Sequence, residues 1–144
     1  MRPSKETITM HVGKHHGQKE TGPTVLEMVL RLEGDFRLTL TPIHVTTLQA
    51  GVILFLRRHA HAKVTDSATA LRVRLPTLSE VVKDLVRKRW VTKRRSVTDT
   101  RVVHLSISRR GQVLAQKIEE QVRQVSTGVA ANKILTAAGL KQLR

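Results

Sequence analysis

Residues 65–108 read TDSATALRVRLPTLSEVVKDLVRKRWVTKRRSVTDTRVVHLSIS, and the periodicity of this stretch decides the architecture on either side of it. Leu78, Val81, Val82 and Leu85 fall at i, i+3, i+4 and i+7, the spacing of one apolar helical stripe that has to be buried against other helices. The opposite face carries Thr77, Glu80, Lys83 and Arg87, with Ser79 on its flank. Pro76 stands in the first turn, where a missing N–H does no harm. Ahead of this helix, a shorter one holding Ala68 and Leu71 is expected to start at Thr65 as its cap and to support the longer helix from behind.

After the helix, Trp90–Ser96 and Val102–Ser108 are β-branched runs flanking the polar residues 97–101, which reads as a hairpin with a long tip. Lys93, Arg94, Arg95 and Arg101 lie on one arm and the tip. Helix, turn, helix and hairpin is the order of a winged helix-turn-helix. A helix with a buried back and a front of short polar and basic residues can lie in the major groove of DNA, its N-terminal end against base edges. A surface helix with merely solvated charges has the same pattern, so the flanking charge has to decide. Between Arg72 and Arg110 stand twelve Lys/Arg against three Asp/Glu, in a chain of formal net charge +15. Positive charge focused in this way is the footprint of a phosphate-backbone binder.

VTTLQAGV at 45–52, then Ala68, Leu71 and Val73, PTLS at 76–79, VVKDL at 81–85, the Asp99-Thr100-Arg101 triplet and SRRG at 108–111 resemble, in that order, the MarR family of bacterial regulators. The similarity spans residues 24 to 144. It implies a mainly α fold with a small β-hairpin wing, a winged helix-turn-helix held between N- and C-terminal dimerisation helices. It further implies that Pro76, Thr77, Ser79, Glu80, Lys83 and Arg87 form the recognition helix, with Lys83 or Glu80 supplying the discriminating hydrogen bonds. By the same resemblance Lys93, Arg94, Arg95 and Arg101 belong to a wing that reaches a phosphate or the adjacent minor groove, and Asp99 pairs with Arg101 to fix the tip, a solvated turn residue being the alternative. The chain departs from the family at three points. Arg72 and Arg89 stand where the family has glycine, so both are strained if those turns require positive φ. Arg74 and Leu75 precede Pro76, and neither can cap the helix as a serine would.

With 144 residues, 40% apolar and 26% charged, the chain has the composition of one folded domain. No run of about 18 apolar residues occurs and no secretory segment is recognisable, so the expected compartment is the cytoplasm. The absence of cysteine excludes disulfides, Cys-based zinc sites and thiol redox sensing. Aromatic residues are confined to Phe36, Phe55 and Trp90, too few for base stacking, which favours duplex DNA over single strands.

Residues 1–23 lack periodicity and read as a flexible tail. Val25, Met28, Val29, Leu32, Phe36 and Leu40 then have helical spacing, although Phe36-Leu38-Leu40 also fits a strand, and the element should stop near Thr41-Pro42. Thr46 can cap a helix running to about His59 with Leu48, Val52, Phe55 and Leu56 inward, followed by a basic loop from Arg57 to Lys63. Beyond the hairpin, Arg109 or Arg110 opens a long helix with Leu114, Ile118, Val122, Val125 and Val129 on one stripe. A stripe about 30 Å long asks for a partner helix. The helices at 24–41 and 109–144, the latter including a short one over Thr136 to Leu143, are therefore expected to pair two subunits around DNA-reading units at 46–108. Folding of the long helix back onto the first is the alternative.

His59 with His61, and His15 with His16, offer two imidazoles each where zinc normally requires three or four ligands, so no metal is expected. His44 and His104 read as packing or surface residues. No nucleophile elbow, phosphate-cradling glycine loop or His-Glu-x-x-His run occurs, so neither catalysis nor a cofactor is expected. Two functions remain. One is a homodimeric regulator of a palindromic operator, a repressor relieved by a small-molecule effector. The other is a basic architectural or RNA-associated module without sequence preference.

Overall fold

The structure is a computed structural model and describes residues 22–131. The expected tail, apart from Gly22 and Pro23, and the segment Thr136 to Leu143 lie outside the described residues. Helix α1 runs over Val25–Leu40 and opens on a capping box, in which Thr24 Oγ1 accepts the Glu27 N–H and the Glu27 carboxylate accepts the Thr24 N–H. Phe36, Leu38 and Leu40 all lie in this helix. Their alternation is not the alternation of a buried face, because Leu38 is exposed while Leu40 is buried. A 3-10 turn at Thr41–Ile43 ends the element where Pro42 demands it.

A second capping box, Thr46 with Gln49, starts α2 at Thr47–Arg58. Next come β1 at Ala62–Lys63, α3 at Val64–Ala70, α4 at Leu75–Arg87, β2 at Val91–Arg95, β3 at Val103–Ile107 and α5 at Arg109–Ala131. Two sequence expectations are corrected here. The basic segment from Arg57 to Lys63 is not one loop: Arg57 and Arg58 finish α2, and Ala62 and Lys63 form a third strand. Thr65 does not cap α3 but lies inside it, because pairing of Ala62 with Leu105 and of Lys63 with His104 holds the chain extended up to the residue where the helix starts.

The sheet is antiparallel in the order β1-β3-β2. Leu78, Val82 and Leu85 are buried along the back of α4, Val81 is half-buried, and the stripe meets Ile53 and Leu56 of α2, Ala68 of α3 and Leu105 of β3 in one core. Leu114, Ala115 and Ile118 of α5 close that core, and α5 packs on both α1 and α2 of its own chain. Leu26, Val29 and Leu30 of α1 remain exposed. At the root of the hairpin, Ser108 donates from Oγ to the Arg89 carbonyl and accepts the Gly111 N–H, which fixes where α5 begins. Among the described residues, no single helix is long and apolar enough to cross a membrane.

Candidate nucleic-acid interface

The buried back of α4 leaves its front to solvent: Pro76, Thr77, Glu80, Lys83 and Arg87 are exposed and Ser79 is half-buried at the flank. Lys83 Nζ lies 3.1 Å from Glu80 Oε1, so the two groups expected to discriminate bases form an intrahelical pair. Pro76 occupies the first turn, and Arg74 at the N-cap makes no side-chain cap, as its chemistry requires. Arg72 and Arg89, expected to be strained if their turns require positive φ, both adopt the left-handed conformation, at φ 54° and φ 63°.

Along the hairpin, Lys93 pairs with Leu105, Arg94 with His104 and Arg95 with Val103. Opposed residues share a face, so the strand period turns Lys93 and Arg95 toward the side of buried Leu105 and Arg94 toward the other. The tip is tied internally. Arg95 donates to the Thr100 carbonyl at 2.6 Å, the Val102 N–H donates to the Asp99 carbonyl at 2.9 Å, and the Asp99 N–H reaches Ser96 Oγ at 3.4 Å. Asp99 Oδ1 accepts both the backbone N–H and the Nε–H of Arg101, at 3.0 and 3.1 Å. Hydrogen bonds from the Arg101 side chain and then its backbone hold the Asp99 carboxyl below the usual carboxylate range.

Between α4 and the hairpin lies a cavity of about 380 Å³ whose wall includes Ser79, Lys83, Lys93 and Arg101 together with Lys63 and Asp66. It brings residues of the two halves of the predicted site onto one surface. Pro76, Thr77, Glu80, Arg87, Arg94 and Arg95 are outside that wall. The place of Lys63 in this wall has no sequence signal, because its two-residue strand is too short to show a period. The role of Asp84 likewise leaves no mark in the sequence. Its carboxylate, lowered first by Arg87 and then by Lys88, accepts from both and from Gln49 Nε2. Leu75, 44% exposed at the start of α4, adds an apolar group to the same front, of the kind that can meet a thymine methyl.

The described histidines do not cluster. His59 stacks on Phe55, His61 Nδ1 meets Ser106 Oγ at 2.9 Å, and among the described residues no group of three or more His, Cys, Asp or Glu could hold a metal ion.

The family described as transcriptional regulator SarA/Rot matches residues 37–118. No curated protein matches the sequence. Among solved structures, a mutant MarR of E. coli complexed with operator DNA is 24% identical, with a TM-score of 0.70 over 83% of this chain and 85% of that one. The MepR–DNA complex of S. aureus is 19% identical, with a TM-score of 0.73 over 87% and 92%. The transcriptional repressor CouR bound to a 23-mer DNA duplex is 21% identical, with a TM-score of 0.71 over 83% of each chain. At these identities the likeness is one of fold, the mainly helical winged helix of MarR regulators.

Proposed function

The chain belongs to the transcriptional regulator SarA/Rot family, and from that premise we propose that it is a homodimeric repressor that reads a palindromic operator in double-stranded DNA and releases it to a small-molecule effector. The observation that carries the reading is the convergence of Lys63, Lys83, Lys93 and Arg101 beside the exposed front of α4, with only Asp66 opposing them in that wall. The front of α4 reads base edges, and the hairpin contacts phosphate or the adjacent minor groove. The exposed Leu26, Val29 and Leu30 on α1 support pairing with a second copy, which would set two α4 helices roughly 34 Å apart, one DNA turn. Support for an effector comes from a cavity of about 610 Å³ between α1 and α2, walled in part by Val45, Leu48 and Leu71. Thr47 also lines it, and among the described residues its buried hydroxyl has no hydrogen-bond partner.

Selecting bound fragments from a random duplex library, then measuring affinity for the selected site against random duplex at fixed salt, tests this. The regulator exceeds random DNA by roughly 10³-fold or more. Little preference with a steep salt slope would mark a charge-driven architectural or RNA-associated binder instead.

A further inference from the structure

We propose that Arg72 and Arg74, in the turn ahead of α4, form a clamp on a DNA backbone phosphate beyond the α4 front and the hairpin. The proposal rests on the reading that the chain binds duplex DNA. Arg72 closes α3: its N–H donates to the Thr69 carbonyl at 3.1 Å and the Val73 N–H to the Ala68 carbonyl at 2.9 Å, which forces Arg72 into the left-handed region at φ 54°. Glycine would occupy that position without a Cβ penalty. An arginine there sets conformational stability against something its side chain supplies.

That side chain is uncommitted. Lys83, Arg87, Arg95 and Arg101 are each engaged by a carboxylate or carbonyl of the chain itself. Among the described residues, the guanidinium groups of Arg72 and Arg74 have no such partner. Both line a shallow groove of about 430 Å³ with Thr65, Thr69 and Leu75. Thr65 and Leu75 also wall the cavity that holds Lys83, Lys93 and Arg101, so the two depressions form one continuous face. Thr69 donates its hydroxyl to the Thr65 carbonyl at 3.1 Å, which leaves two guanidinium forks beside the Thr65 hydroxyl, edging a basic surface, to match the oxygens of a phosphodiester. Such a contact positions the helix in the groove and carries no base preference.

The test uses the full chain as wild type, Arg72→Gly, Arg72→Lys and Arg89→Gly, with thermal melts and duplex affinity across a salt series. Arg72→Gly should melt several degrees higher yet bind selected and random duplex alike roughly tenfold more weakly, its salt slope reduced by about 1. Arg72→Lys keeps the charge and should keep the slope. Arg89→Gly relieves the same strain at the hairpin root, outside the groove, and should raise the melting temperature with the slope unchanged. Wild-type affinity and slope in Arg72→Gly would overturn the clamp, as would an equal loss of slope in Arg89→Gly, which would reduce the effect to bulk charge. If wild type binds no duplex at all, the DNA-binding reading falls first and the clamp with it.

Discussion

Gln49 on α2 donates from Nε2 to Asp84 Oδ2 on α4 at 2.7 Å, while its Oε1 accepts the Thr46 N–H at 3.1 Å. One buried amide thus starts α2 and fastens it to the helix whose front carries the candidate interface. Gln49→Ala removes both contacts and should cost about 1–2 kcal/mol in denaturant unfolding. Asp84→Asn should lower the melting temperature by a few degrees, and its pH dependence has a definite sign. Arg87 and Lys88 hold the Asp84 carboxyl below its usual range, so the stabilisation is complete above about pH 5 and is lost progressively as pH falls through the folded-state value. The gap between wild type and Asp84→Asn should therefore narrow in acid. A gap that is constant from neutral pH to pH 2 would remove the charge from the explanation.

Gly111 is where α5 meets the hairpin root. A Cβ there would lie 2.1 Å from the Trp90 carbonyl oxygen and 2.7 Å from Ile107 Cγ1, and the first of these neighbours is backbone that cannot rotate away. Gly111→Ala should destabilise by on the order of 3 kcal/mol, although alanine is the better helix former. Equal or higher stability in equilibrium unfolding would mean that α5 can start elsewhere.

What was legible in the chain follows from which interactions leave a period. Leu78, Val82 and Leu85 show their burial by spacing alone, Thr46 announces α2, and the Asp99–Arg101 pair is close enough in sequence for the triplet to imply it. The strain at Arg72 and Arg89 was visible as arginine where the family has glycine, whereas His44 and His61 share that conformation with no sequence signal. β1 has two residues, too few for an alternation, and without that strand Thr65 is the first residue that looks able to cap α3. Gln49 and Asp84 are 35 residues apart, and no local pattern encodes a contact at that distance.

Leu26 and Leu30 are 66% and 60% exposed, one helical turn apart on α1. Burying them against a second copy removes apolar area from water without altering the fold of either chain. Leu26→Glu combined with Leu30→Glu should therefore leave the helical circular dichroism intact, yield a monomer by sedimentation equilibrium, and weaken binding to a palindromic duplex far more than to a single half-site. Wild type sedimenting as a monomer, or the variant as a dimer, defeats the dimer assignment.

Lys83 and Glu80 are both largely exposed, so their pairing contributes little stability and yields readily to a base edge. Lys83→Ala should change unfolding free energy by no more than about 0.5 kcal/mol. Its preference for the selected site over single-base variants should fall by roughly tenfold or more at the affected base pair. A uniform loss across all duplexes would place Lys83 on phosphate instead.

Asp99 separates two accounts of the hairpin that predict opposite signs. If the hairpin acts by charge alone, removing a carboxylate from a basic surface strengthens attraction to DNA, and Asp99→Asn binds more tightly at every salt concentration. If the tip acts by geometry, the carboxylate matters because it grips the Arg101 backbone and guanidinium together, holding a side chain that is otherwise 90% exposed. An unanchored arginine side chain gives up roughly 1 kcal/mol of rotamer freedom when it is ordered on DNA. Asn cannot replace the charge-assisted bond to Nε. The second account predicts several-fold weaker binding for Asp99→Asn with an unchanged salt slope, since no cation is lost, whereas Arg101→Ala lowers both affinity and slope, the latter by about 1, on all duplexes alike. Tighter binding by Asp99→Asn would sink the geometric account and leave Arg101 as one positive charge among many.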